Sequence, residues 1–167
     1  MKFEKFLKNC GARGSIVNTE RNGQFLKLGG VLLAIPEGVN VLSINEMNAP
    51  EYIENIFRDF EDGYLYKAEL HDAQLPAPDA SPSKIERVFA NEDFGTIAID
   101  NKTFGIIERS DRLYTYAEAE DGEPEKGDQD ALVVTNGFGD EERVVAIILD
   151  VQYYFDKITK KGAAEND

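Results

Sequence analysis

The stretch Ala131-Leu132-Val133-Val134-Thr135-Asn136-Gly137-Phe138-Gly139-Asp140-Glu141-Glu142-Arg143-Val144-Val145-Ala146-Ile147-Ile148-Leu149 holds two apolar runs around a polar, glycine-rich centre. Valine and isoleucine dominate the second run, and branched side chains of this kind suit a pleated surface better than a helix. Ala131 to Thr135 and Arg143 to Leu149 are therefore read as strands, with Asn136 to Asp140 as the turn between them.

Upstream of this pair, the same pattern predicts a strand at Leu113 to Tyr116. Gly95 to Ile99 and Thr103 to Ile107 are read as a further hairpin around Asp100-Asn101-Lys102. Ser81-Pro82 has the residue types of a helix start, and Ile85, Val88 and Phe89 supply an apolar stripe, so a short helix is predicted there. Before it, Asp72 to Ser83, with prolines at 76, 78 and 82, is read as a surface loop, and Tyr64 to Leu70 alternates loosely as a strand. Pro50 opens a longer helix in which Tyr52, Ile53, Ile56, Phe57 and Phe60 recur at 3.6-residue spacing until Gly63.

The N-terminal part follows the same logic. Phe3, Phe6 and Leu7 fall on one side of a short amphipathic helix that Gly11 ends. Ser15 to Val17 and Gln24 to Leu28 flank Arg21-Asn22-Gly23 as a hairpin, and Val31 to Ile35 and Val39 to Leu42 are read as two strands around Pro36-Glu37-Gly38. Val151 to Ile158 closes the chain as a strand or short helix. With turns and no regular helical crossovers between strands, the expected fold is α+β: a mainly antiparallel sheet or small barrel with two or three short helices packed on it. Residues 1–158 are expected to form one domain, and 159–167 a flexible tail.

Composition sets the limits on function. The chain has 167 residues, is 42% hydrophobic, and contains ten phenylalanines and seven tyrosines, enough apolar surface to drive folding. Apolar runs such as Val31 to Ile35 fall far short of the roughly 20 residues that span a membrane. The single cysteine, Cys10, cannot form an internal disulfide, and no secretory leader pattern is visible, so a cytoplasmic, reducing compartment is expected. Against 18 basic residues stand 32 acidic ones, a formal charge of -14 that disfavours direct contact with nucleic acid. Lys2, Lys5, Lys8, Arg13, Arg21 and Lys27 nevertheless outnumber Glu4 and Glu20 in the first thirty positions. Such polarity favours head-to-tail contacts between copies, or docking onto surfaces of mixed charge.

Residues with catalytic potential do not assemble into a known pattern. His71 is the sole histidine; Glu69 and Asp72 beside it would suit acid–base or metal chemistry, but a lone histidine by a proline-rich loop reads as an ordinary surface residue. Cys10 lacks a nearby base and reads as a buried structural thiol. None of Ser15, Ser43, Ser81, Ser83 or Ser110 sits in a nucleophile elbow. Gly29, Gly30, Gly137 and Gly139 are not spaced as phosphate-binding loops. The acidic run from Glu118 to Asp130 lacks the ligand order of a calcium loop, and pairs such as Glu61-Asp62 and Glu141-Glu142 arise by chance in so acidic a chain. Tyr64, Tyr66, Tyr114, Tyr116, Tyr153 and Tyr154 suit packing on the sheet or a protein interface. No catalytic, cofactor-binding or metal-binding residue and no cofactor are assigned.

The segments Phe3-Glu4-Lys5-Phe6-Leu7-Lys8-Asn9-Cys10-Gly11, Gly29-Gly30-Val31 and Ile35-Pro36-Glu37-Gly38-Val39 resemble small uncharacterised proteins encoded among the virion structural genes of tailed bacteriophages and prophages. The resemblance covers roughly the first 40 residues. It implies a non-enzymatic accessory protein of head or tail assembly, working through contacts with capsid or tail proteins in the host cell or the virion. Two other readings compete with it: an acidic DNA mimic that blocks a nucleic-acid-binding protein, and a hydrolase that uses His71 with neighbouring carboxylates.

Overall fold

A computed structural model describes residues 2–41, 45–76, 85–91, 95–116 and 130–150, with backbone alone for residue 12 and for 71–76, 85–91 and 95–96. In chain order these form α1 (Phe3–Cys10), β1 (Ser15–Asn18), β2 (Gln24–Leu28), β3 (Val31–Ala34), β4 (Asn45–Asn48), α2 (Glu51–Glu61), β5 (Tyr66–Lys67), β6 (Glu69–Pro76), β7 (Ile85–Asn91), β8 (Gly95–Asp100), α3 (Asn101–Phe104), β9 (Arg112–Tyr116), β10 (Ala131–Asn136) and β11 (Arg143–Leu149). The protein is α+β, as its sequence predicts.

Two sheets carry the strands. One has eight in the order β4-β1-β2-β3-β11-β10-β9-β5, and the other has three in the order β6-β7-β8. Pairing is antiparallel throughout the described residues except between β1 and β4. The larger sheet is open, with β4 and β5 at its edges, so the barrel alternative is set aside. Just after β5, the Ala68 N–H still donates to Leu113 O at 2.9 Å before the chain enters β6. The polypeptide thus passes directly from the larger sheet into the smaller one.

The apolar runs at β10 and β11 are long because the sheet is buried on both faces, so successive residues all need apolar side chains. Leu132, Val134, Ala146 and Ile148 pack with Leu26, Leu33, Ile97, Ile99, Phe6 and Cys10, on the side covered by α1 and the smaller sheet. Ala131, Val133, Ile147 and Leu149 face the opposite way and pack with Phe25, Leu32, Ile53, Ile56 and Phe57, beneath α2. A bulge between Val134 and Thr135 makes Val145 an extra residue in β11. It explains why Val145 and Ala146, adjacent in sequence, both belong to the α1 side.

Several local expectations are corrected. Residues 72–76, expected to open a surface loop, belong to β6, where Gln74, Leu75 and Pro76 pair with Arg87, Glu86 and Ile85 of β7. Ile85 to Asn91 forms β7 and not a helix, because the backbone pairs on both sides, with β6 and with β8. Thr103 to Ile107 is not the return strand of a hairpin. Asp100 accepts hydrogen bonds from the N–H groups of Lys102 (2.8 Å) and Thr103 (3.0 Å) and from the Thr103 hydroxyl (2.6 Å), and this cap starts α3. Residues 39–41 are not a strand, whereas Asn45–Asn48, which carries no apolar alternation, is one by pairing with β1. The β1–β2 hairpin forms as expected, but over a five-residue loop, Thr19 to Gly23, closed by the Thr19 N–H donating to Gly23 O at 3.1 Å. Gly23 there has φ +80°, the left-handed conformation expected of the Asn-Gly pair. The remainder of the predicted loop at 77–83 with the Ser81-Pro82 helix start, the acidic run at 118–129, the closing element at 151–158 and the tail at 159–167 lie outside the described residues.

Candidate binding groove

Helix α1, the turn between β2 and β3, and α3 meet around a groove of about 650 Å³. Each wall follows from its sequence. α1 turns Phe6 and Cys10 into the core, which leaves Lys5, Lys8 and Asn9 exposed. Gly29, with φ +58°, allows the tight reversal into β3. α3 begins at the Asp100 cap, and Ile106 beyond its end is buried while its carbonyl accepts from the Lys2 N–H at 3.1 Å. The N-terminus is thereby held against the α3 turn.

The lining has two chemistries. Phe6, Leu28, Val31 and Ile106 form an apolar floor, and Lys5, Lys102, Asn9 and Asn101 stand around it. The Lys2 ammonium donates to Gly105 O at 3.4 Å at the rim. Asp100 is the one carboxylate among the lining residues, and its oxygens are occupied in capping α3. Among the described residues, the Lys5 and Lys102 ammoniums have no carboxylate partner. Two cations beside an apolar floor are equipped to hold an anionic, partly apolar ligand.

A second polar cluster lies on the α2 side of the larger sheet, past the end of that helix. Glu142 accepts from the buried Thr135 hydroxyl and from Tyr114 Oη at 2.9 Å, and pairs with Arg112 Nη1 at 3.2 Å. The Tyr114 ring also meets Phe60 of α2 edge-on, with centroids 6.0 Å apart. Burial, reinforced by the Glu142 carboxylate, pushes the Tyr114 hydroxyl pKa up. Arg112 stacks on the exposed Phe138 ring at 4.6 Å, and Asn136 Nδ2 donates to Asp111 at 3.1 Å. These contacts are internal and fasten the β10–β11 turn to β9. Gly137 in that turn has φ +103°, and a Cβ there would lie 2.5 Å from Glu141 O, so the turn accepts only glycine.

Among the described residues, those singled out from sequence fall in separate places. Cys10 is buried at the end of α1, and burial raises its pKa, away from the thiolate a nucleophile requires. His71 and Asp72 lie in β6, where only the backbone is described. Glu61 and Asp62 line a separate cleft of about 250 Å³ with Glu20, Glu54, Arg21 and Arg58. Tyr116 is buried, and Tyr64 and Tyr66 are exposed beside the β5 edge. Among the described residues, no group of three or more His, Cys, Asp or Glu side chains could hold a metal ion. Nor, among them, is any helix long and apolar enough to cross a membrane. The groove escaped sequence reasoning because its walls come from positions 5–9, 28–31 and 100–106. Its one sequence signal was the lysine excess of the first thirty residues.

No protein-family model, no curated protein and no solved structure matches the chain.

Proposed function

We propose that the protein is a non-enzymatic accessory protein of tailed-phage or prophage particle assembly that acts by contact with other proteins. The groove between α1 and α3 carries this reading, since it presents over an apolar floor two ammoniums that have no carboxylate partner among the described residues. Two segments that bear the resemblance to virion-associated proteins, Phe3 to Gly11 and Gly29 to Val31, contribute two of its three walls. The DNA-mimic reading is weaker, because Arg21 and Arg58 interrupt the acidic surface around Glu20, Glu54, Glu61 and Asp62.

Mixing the purified protein with capsid and tail components, then isolating particles by density centrifugation, tests the proposal. Retention of the protein in particles or on one component is the expected result. A protein absent from particles and inert toward every component would end it.

A further inference from the structure

We propose that the groove recognises an acidic peptide segment of a partner protein. An apolar side chain of that segment sits over Phe6, Leu28, Val31 and Ile106, and flanking carboxylates meet the Lys5 and Lys102 ammoniums. The inference rests on the reading of the protein as one that works by contact, and it names the chemistry of the partner.

Charge and shape select this occupant. The chain as a whole carries -14, so a long polyanion such as nucleic acid meets net repulsion along its length, whereas a short acidic segment need meet only the local field. An inorganic anion would satisfy the lysines but leave the apolar floor open to water. A peptide with one apolar residue between acidic ones satisfies both parts of the lining at once. The Lys2 ammonium at the rim adds a third cation close to the same site.

The probe is a short fluorescein-labelled peptide in which glutamates flank one phenylalanine, followed by fluorescence anisotropy. Binding is expected at low salt and should weaken as salt is added. Replacing both Lys5 and Lys102 by glutamine should reduce affinity about tenfold, while Lys8→Gln, on the same helix but outside the lining, leaves it unchanged. Changing the peptide's phenylalanine to serine should also weaken binding, a control that leaves the protein untouched. Equal affinity for the K5Q/K102Q variant and the original protein would overturn the inference, as would competition by oligothymidylate or inorganic phosphate as effective as by unlabelled peptide. Particle association separates this from the broader reading. Retention in particles that survives K5Q/K102Q would refute the groove and keep the assembly role, and lysine-dependent peptide binding by a protein absent from particles would do the reverse.

Discussion

The two faces of the eight-stranded sheet are made from the same strands and covered in different ways. Among the described residues, one side is covered by the amphipathic helix α2, which lays Ile53, Ile56 and Phe57 on the sheet, and beyond its end Glu142 takes up the Thr135 and Tyr114 hydroxyls. On the other side α1, the smaller sheet and α3 share the work, and the seam at α1 and α3 remains an open groove edged by cations. A one-piece cover can close over its face, and a cover assembled from separate pieces leaves a seam. The seam is the site we propose for a partner segment.

The broadest test of the comparison is whether both faces are equally well packed. Leu132→Ala and Ile147→Ala remove fully buried side chains from opposite faces of neighbouring strands, and each should cost about 2–5 kcal/mol in urea unfolding. A small loss at Leu132 alone would mean that the side bearing the groove is loosely packed.

Next in size is the closure past α2. Glu142→Ala leaves the buried Thr135 hydroxyl without its acceptor, and a loss of about 1–3 kcal/mol is expected from the same measurement. Glu142→Gln, which keeps an acceptor oxygen, should lose less.

Tyr114→Phe sharpens this further. Removing the hydroxyl deletes one hydrogen bond to Glu142 and should cost about 1 kcal/mol near neutral pH. Because the folded-state pKa of Tyr114 is raised, its contribution is fully present below the unfolded tyrosine pKa and disappears as pH rises through the folded value. Unfolding measured across the alkaline range should therefore show a shallower decline in the Phe variant than in the original protein.

The smallest stability effect belongs to the groove. Lys5 and Lys102 are exposed and have no carboxylate partner among the described residues, so K5Q/K102Q should change stability by less than about 0.5 kcal/mol. Thermal unfolding that matches the original protein would also validate the variant for binding work.

The parts of the fold that sequence revealed are those where local pattern and tertiary burial agree. β10 and β11 read as strands because burial on both faces demands continuous branched apolar residues, and α2 reads as a helix because a single face is buried. Misreadings arose where two local signals competed or where none existed. Ile85, Val88 and Phe89 have helical spacing, yet strands on either side capture that segment. Thr103, Ile106 and Ile107 favour a strand by residue type, yet the Asp100 cap turns the chain into α3 first. Asn45 to Asn48 has no strand pattern, and pairing with β1 alone makes it one. The groove lay beyond reach for a different reason. Its cations and its apolar floor are shared among three segments that only the folded backbone brings together.

Amide chemical-shift mapping of isotope-labelled protein titrated with the phenylalanine-centred acidic peptide locates the bound segment residue by residue. Perturbations are expected along the exposed side of α1, at Gly29 and Gly30 and from Asn101 to Gly105, with α2 and the Glu142 cluster silent. Perturbations confined to α2 or the β10–β11 turn, or none at all, would rule out the groove as the binding site.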